Sequence, residues 1–535
     1  MSRFFAFALV VVFTISCAGL AAAVDHRFAW PLAVLGPLTL LGVWHLVQPG
    51  HSLMRNYPLM AHFRWLFEMI RPEIRQYLIE SDHDAAPFDR TQRSLVYQRA
   101  KGALDNLPFG TRLDTGRQGY AWIAHSIRPA DVAHELHRVE VGGEACAAPY
   151  SASLLNISAM SFGSLSARAI EALNRGAAAA GCLHNTGEGG ISSYHLKGGE
   201  LIWQLGTGYF GARDADGSFS KQRFLAEIER RPSVRAVEIK LSQGAKPGLG
   251  GVLPAAKVTP EIARIRGIPM GRDCISPSVH SAFTDVDSLL DFVEDLADAS
   301  GLPVGIKSAV GEDRFWRELA EQMATTGRAV DFVSVDGGEG GTGAAPLVFA
   351  DHVSLPFKVG MSRVYRVFCE HDLQDDVVFI GSGRLGLPDH ALFAFALGCD
   401  LLALAREPML AVGCIQAQRC HTGHCPTGVA TQNRWLARGL DPELKAERLT
   451  NYIKTLRKEI LRLSRACGAP HPALVTLEQF DIVDDRLRAA PAGERFGYQP
   501  EWCRADDEQR DAIAAMMAEL VGPEAGTRSP ARRPL

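Results

Sequence analysis

Three thiols fall close together late in the chain: Cys414, Cys420 and Cys425, within GCIQAQRCHTGHCPTG. Close thiolate spacing on a Gly/Pro-containing loop suits zinc or an iron–sulfur cluster. Three cysteines without a fourth nearby fit a 3Fe–4S cluster, and zinc completed by His421 or His424 is the alternative. Glycine-rich stretches supply a second kind of chemistry. Asp336-Gly337-Gly338-Glu339-Gly340-Gly341-Thr342-Gly343 and Gly381-Ser382-Gly383-Arg384 each follow an apolar run, as does Arg406-Glu407. Backbone N–H groups in such loops can close around an anion, which points to a phosphorylated cofactor. Lys307 ends the run PVGIK. Beside the N1–C2=O edge of a flavin its charge would stabilise the anionic reduced ring; the alternative is an ion pair with Glu312 or Asp336. Glu188 in NTGEGG, with Lys240 and Lys246 around LSQGAK, places one carboxylate and two ammonium groups where a dicarboxylate could be held and protons managed. A rim of ordinary salt bridges is the plainer reading of the same residues.

These residues need elements that bring them to one place. From about residue 151 short apolar runs end in small or polar residues and are followed by amphipathic stretches, the grammar of parallel βα units. Eight runs are expected as strands: Leu154–Ser161, Cys182–Thr186, Ala236–Leu241, Arg272–Ser276, Pro303–Lys307, Asp331–Val335, Val377–Gly381 and Asp400–Ala405. Eight fit a (β/α)8 TIM barrel, an α/β fold whose functional groups sit at the C-terminal strand ends. A doubly wound sheet is the rival, but no GxGxxG follows the first strand. The expected organisation is a membrane anchor over 1–50, a connecting subdomain over 51–150, the barrel with its cysteine loop over 151–440, and a helical extension with a disordered tail over 441–535.

The chain of 535 residues is 47% hydrophobic and 22% charged, a globular composition. Lys+Arg 56 against Asp+Glu 60 gives a net charge of -4, without the basic excess that nucleic-acid binding needs. Eleven cysteines in so long a chain do not make a disulfide scaffold. Phe4 to Val24 carries no charge, and neither does Phe28 to Val47. Each run is about the 20 residues that cross a bilayer core. The first could be a cleavable signal; the second, following at once, favours a transmembrane helical hairpin. Arg55, Arg64, Arg71 and Arg75 then follow, so the positive-inside bias puts the larger part of the chain in the cytoplasm, tethered to the membrane.

The stretches SAMSFGSLSARAIEAL, NTGEGG, IKLSQGAKPGLGGVLPAAKVTPEIARIR, ISPSVHS, DGGEGGTGAAPL and GCIQAQRCHTGHCPTGVATQ occur in this order between about 150 and 435. Together they resemble the FMN-binding synthase domain of glutamate synthases, in its stand-alone form. That resemblance implies a barrel holding FMN against a 3Fe–4S cluster. It also implies electron transfer to 2-iminoglutarate, formed from 2-oxoglutarate and ammonia, giving L-glutamate. Carried over by position, Cys414, Cys420 and Cys425 would ligate the cluster. FMN would be held by Ala159, Met160 and Ser161, by Lys307, by Gly337, Gly338, Gly340, Gly341, Thr342 and Gly343, and by Gly381, Ser382, Gly383 and Arg384. Glu188, Lys240 and Lys246 would be catalytic, Glu188 as proton donor, while Gln243 and Arg266 would bind substrate. An external donor such as ferredoxin would feed the cluster. The family's N-terminal amidotransferase domain has no counterpart among these motifs, so glutamine hydrolysis is not expected. The family usually carries an acid and a glutamine where this chain has Leu249 and Val252, which motivates a second expectation, a membrane-linked FMN oxidase or dehydrogenase of another organic acid. A non-catalytic zinc-bearing barrel is the third.

Overall fold

Alternating short strands and amphipathic helices need a closed surface on which both strand faces are covered, and a parallel barrel supplies it. The computed structural model describes residues 3–103, 106–130, 138–143 and 145–521. It divides into two compact units, Met1–Arg90 and Thr91–Leu535.

In the first unit, helices Phe5–Ala23 and Leu32–Val47 run through the two uncharged stretches. By length and composition alone both Phe5–Ala23 and the span His26–Val47 could cross a membrane, with mean hydropathies of 2.4 and 1.5. Thr14 Oγ1 meets Thr39 Oγ1 at 2.8 Å between the two helices and also donates to the Val10 carbonyl, so neither hydroxyl is left dry against apolar side chains.

In the second unit eight strands close in sequence order: β1 Leu155–Ile157, β2 His184–Asn185, β3 Leu201–Leu205, β4 Val234–Lys240, β5 Val304–Ala309, β6 Phe332–Asp336, β7 Val378–Ser382 and β8 Leu401–Leu404. Adjacent strands are parallel all round, β8 returning to β1. This is a TIM barrel. One expected strand is corrected. Arg272–Ser276 lies outside the barrel, where Cys274–Ile275 pairs antiparallel with Val252–Leu253. The barrel's third strand is instead LIWQL, every residue of which is buried. A run buried on both faces has no period-two signal and reads like a helix fragment, whereas CIS mimics a strand through its β-branched content.

The barrel interior is polar at one level. Glu238 on β4 accepts from Asn185 Nδ2 on β2 at 2.9 Å, Gln204 Nε2 on β3 at 2.5 Å and Ser334 Oγ on β6 at 2.7 Å. A carboxylate taken out of water needs several donors, and these span the lumen to provide them. Outside, Trp203 stacks on Phe224 of helix Lys221–Arg230 with ring centroids 5.3 Å apart. The 25-residue helix Pro442–Ala466 packs on Ala167–Ala180, where a Cβ at Gly176 would come within 2.7 Å of Leu449, so glycine permits the close crossing. The segment expected as a connecting subdomain and the C-terminal extension share an antiparallel sheet, in which Ala121–Ile123 pairs with Phe480–Val483 and that strand with Ala489–Pro491. The expected disordered tail from Gly522 lies outside the described residues.

Trp203 is wholly buried and welds β3 to its helix. Trp203→Ala should therefore destabilise the barrel by about 3–5 kcal/mol, read as a lowered midpoint in urea unfolding. A change within a few tenths would return LIWQL to a peripheral position.

Candidate active site

Barrel register sets the first feature of the site. Lys240 and Lys307 occupy partner positions on the adjacent parallel strands β4 and β5, so their side chains leave the same face at the same level. Both are nearly buried, with 11% and 8% of their side-chain surface exposed. Two ammonium groups side by side in poor solvent need anions. Glu188, from the loop after β2, meets Lys240 Nζ at 2.8 Å, and Asp336, at the end of β6, lies 3.8 Å from Lys307 Nζ. Lys240 Nζ also donates to Gln243 Oε1 at 2.8 Å. Of the two alternatives for Lys307, the ion pair with Asp336 is present, though long, and Asp336 Oδ2 is shared with the Gly244 N–H at 2.9 Å.

Lys246 and Arg266 join the same rim. Lys246 is buried and donates to the Gly250 carbonyl at 3.2 Å. Arg266 Nη2 donates to Phe162 O at 3.2 Å, its guanidinium lies 5.1 Å over the Phe210 ring, and its Nε has no hydrogen-bond partner. Burial alone would push the Glu188 carboxyl up, but Lys240, Lys246 and Arg266 together outweigh it and hold it below the usual carboxylate range. Burial lowers the Lys246 ammonium, an effect that Glu188 opposes. In this arrangement Glu188 is the counter-ion of the cations that surround it.

Glycines let the loops approach. A Cβ at Gly251 would come within 2.7 Å of Glu188 Oε1, and one at Gly187, with φ +65°, within 2.5 Å of Ser161 Oγ. Hence the β2 loop closes on Ala159-Met160-Ser161, where Met160 N donates to Asn185 O at 3.3 Å. At Gly244 a Cβ would overlap the Gly337 carbonyl, so the lysine-bearing loop and the Gly337–Gly343 loop touch backbone to backbone. The latter loop is braced by Gly337 N to Ser382 O at 2.8 Å, by Glu339 Oε2 accepting from Phe357 N at 2.7 Å, and by Arg406 donating to the Glu339 carbonyl. Thr342 and Gly343 at its tip are exposed. Arg384 has φ +56° and turns its guanidinium to Gln92 Oε1 at 3.1 Å, so its backbone rather than its charge faces the Gly381–Gly383 turn. A cavity of about 320 Å3 lies there, lined by Gly383, Arg384, Lys358 and His390. A second, of about 470 Å3, is lined by Phe210, Cys274, Ser276 and Pro277 beside Arg266. Both volumes fall in the range of small-ligand pockets.

The cysteine loop is fastened to the same mouth. Gln432 Nε2 donates to Gly163 O at 3.0 Å and Leu165 O at 2.8 Å, and Ser166 N donates to Val429 O at 2.9 Å, so the loop lies on the segment that follows Met160-Ser161. Lys257, buried, donates to the Cys420 carbonyl at 2.5 Å, with its charge in range of the Cys420 and Cys425 sulfurs. Burial pushes Cys414 up to about 12 and raises Cys420. Burial would raise Cys425 too, but N–H groups of Ala430, Thr427 and Val429 and the Thr427 hydroxyl outweigh it and lower that thiol. The donor set therefore suits thiolate ligation in its chemistry. Among the described residues no three His, Cys, Asp or Glu side chains close on one point as a single metal ion requires.

Residues 134–470 match the family described as the conserved region in glutamate synthase. The chain belongs to the glutamate synthase family. The glutamate synthase large subunit-like protein YerD of Bacillus subtilis is 36% identical over 467 residues, covering 79% of this chain and 88% of that protein. An archaeal glutamate synthase (NADPH) of Methanocaldococcus jannaschii is 35% identical, covering 63% of this chain and 62% of that one. The glutamate synthase (NADPH) large chain of Bacillus subtilis is 31% identical over 63% of this chain, but only 21% of that protein is covered. The chain thus spans about three-fifths of the archaeal relative and a fifth of the large chain. Family membership makes it a glutamate synthase-like oxidoreductase built on a TIM barrel.

Some contributors lay outside the residues read from the sequence: Glu238 in the lumen, Lys257 beside the thiols, and the pair His280–Tyr209. Tyr209 Oη accepts the N–H groups of Ser281 and Ala282 at 3.2 and 3.1 Å, which leaves its hydrogen for His280 Nδ1 at 2.9 Å. His280 must then carry its proton on Nε2, where it donates to the Lys240 carbonyl at 2.9 Å. Glu238 had a readable signal. It stands two residues before Lys240 in AVEIK, hence on the same face of the strand.

Removing one member of the Glu188–Lys240 pair leaves the other charge nearly buried. Lys240→Met should cost about 3–5 kcal/mol in urea unfolding at neutral pH. The folded-state carboxyl lies below its unfolded value, so this stabilisation is present above the usual carboxylate range and fades as pH falls through the folded value. The gap between the parent protein and a Glu188→Gln, Lys240→Met double variant should accordingly narrow on acidification. A gap independent of pH would mean that the pair does not carry the charge coupling.

Proposed function

We propose that the chain is an FMN- and 3Fe–4S-dependent oxidoreductase of the glutamate synthase type that reduces an imino acid to the amino acid, with 2-iminoglutarate, from 2-oxoglutarate and ammonia, as the first candidate. The observation that carries this reading is the charge balance of the barrel mouth. Lys240, Lys246, Arg266 and Lys307 supply four cations against the two carboxylates Glu188 and Asp336, all at low exposure. A buried rim with cations in excess is stabilised by an anionic guest, and a phosphorylated cofactor together with a dicarboxylate answers that need.

The residues present fit such a cofactor. Lys307 would face its ring, Ala159, Met160 and Ser161 would line one side, and the Gly337–Gly343 and Gly381–Arg384 loops would offer backbone N–H groups to its phosphate. A reduced flavin, when bound, supplies the hydride equivalent that an imine carbon accepts, and the imine nitrogen must gain a proton. Lys246 is the candidate proton donor, because its ammonium gives up a proton more readily than an exposed lysine. Lys240, fixed through its side chain by Glu188 and Gln243 and through its carbonyl by His280, orients a substrate carboxylate, and Arg266 offers its unpaired Nε to a second.

Cys414, Cys420 and Cys425 would hold the cluster. A small electron carrier such as ferredoxin would deliver electrons there, and the N-terminal helices would tether the catalytic unit to the cytoplasmic face of the membrane. A second reading keeps the flavin and changes the acid. Leu249 and Val252, at 37% and 45% exposure, present apolar surface on the hairpin strand and loop next to Lys246, which suits a less polar organic acid.

Protein purified from membranes without oxygen should show flavin absorbance with bound FMN, iron and acid-labile sulfide. Turnover with 2-oxoglutarate plus ammonia, set against a panel of other keto and hydroxy acids, separates the two readings. A colourless, flavin-free protein would end both. Cys420→Ser should lose iron and donor-driven turnover while keeping FMN; full iron content in that variant would remove the cysteine assignment.

A further inference from the structure

Beyond the second apolar helix the first unit carries a feature that the barrel chemistry does not use. Helix Ala61–Ile74 and the π-type turn Arg75–Ile79 that extends it place Phe63, Leu66, Phe67, Ile70, Ile74 and Tyr77 at i, i+3, i+4, i+7, i+11 and i+14, one continuous helical face. That face is open. Phe63 is 52% exposed, Leu66 44%, Phe67 61% and Tyr77 58%, and Leu78 and Ile79 beyond it are 79% and 72% exposed. Arg64, Arg71 and Arg75 form a second stripe along its flank, at i, i+7 and i+11, with Glu68 among them. Exposed apolar faces of this extent on a soluble surface mark an interaction site.

We propose that Ala61–Ile79 is an interfacial helix that lies along the bilayer surface, its aromatic face sunk into the headgroup boundary and its arginine stripe level with the phosphates. Three observations choose lipid over a protein partner. The helix begins shortly after Val47, where the second membrane-length apolar helix ends, so a bilayer surface lies within reach of the connecting residues. Four of the exposed side chains on this helix and turn, Phe63, Trp65, Phe67 and Tyr77, are aromatic, the residue class that favours the zone between water and hydrocarbon. Finally, an apolar face bordered by arginines within one short helix is the pattern of in-plane anchors, in which long cationic side chains reach phosphates while their stems stay apolar. The three arginines stand against the acids Glu68 and Glu73, and Arg75 Nε is also paired with Glu80 Oε1 at 3.1 Å, so insertion of the apolar face rather than charge is the main attraction.

The inference rests on the upstream helices being a membrane anchor, and the experiment separates the two claims. The full-length chain is reconstituted into phosphatidylcholine–phosphatidylglycerol vesicles as Phe67→Trp and, on the polar side of the helix, as Glu68→Trp. Flotation with the vesicles tests the anchor. Quenching of the added tryptophan emission by lipids brominated on the upper acyl chain tests the helix, and at least roughly twofold stronger quenching is expected for Phe67→Trp than for Glu68→Trp. A protein that floats while neither tryptophan is quenched overturns the surface helix alone, as a face covered by a second copy or left in water would give. Equal quenching of both overturns the stated orientation. A chain that does not float overturns the anchor and the surface helix together.

Discussion

Two lysines at partner positions on neighbouring barrel strands constrain everything around them. Parallel register gives Lys240 and Lys307 no freedom to diverge, since their Cα atoms are set by β4 and β5 and both strands are pinned on either side. Their charges can be tolerated only if carboxylates are delivered to the same level, and neither carboxylate comes from these two strands. Glu188 arrives from the β2 loop and Asp336 from the end of β6. The electrostatic requirement of one strand pair thereby fixes the course of loops drawn from opposite sides of the barrel. It also explains why the rim is rich in glycine, because a loop that must bring a carboxylate into a crowded lumen cannot also carry a Cβ at its closest approaches, as at Gly251 and Gly187.

The same economy joins the loop after β1 to the cysteine loop. The β1 loop carries Met160 and Ser161 against the β2 loop on one side and accepts Gln432 from the cysteine loop on the other. A change in either neighbour is felt by the short segment between them. Lys257 adds a charge contribution to that junction, since a buried ammonium beside two thiols favours their deprotonated form in a loop where burial alone favours the thiol. Backbone donors at Cys425 act in the same direction. Burial still holds Cys414 and Cys420 above the usual thiol range, so of the three it is Cys425 whose surroundings favour anionic sulfur.

How much of this the sequence discloses follows from how local each signal is. Lys307 in PVGIK, the glycine runs after β6 and β7, and the thiol spacing are all contiguous signals; the glycine runs follow their strands as expected, while Lys307 sits inside β5, which continues to Ala309. Asp336 was readable as a partner for Lys307, whereas Glu238 was harder, because it matters through partners on three other strands. LIWQL was missed for a different reason. Burial on both faces erases the alternation that marks a strand, and LIWQL follows β2 through a connection without a helix, so the βα alternation that flags the other strands is also missing there. Glu188 shows a third limit. Residue type marks it as an acid, but the three cations that surround it come from two other segments, and only the fold brings them together.

The barrel chemistry and the N-terminal unit make separate demands on the chain, and the sequence meets them with different physics. Around the rim, charge is concentrated and screened by neutral donors, so that Glu238 alone engages side chains from three other strands. In the first unit charge is withheld over two long runs and then returned as a stripe beside aromatic residues. Within the barrel, Glu188, Lys240 and Lys307 keep only 17%, 11% and 8% of their side-chain surface exposed, so a charge there must be answered by a fixed neighbour rather than by solvent.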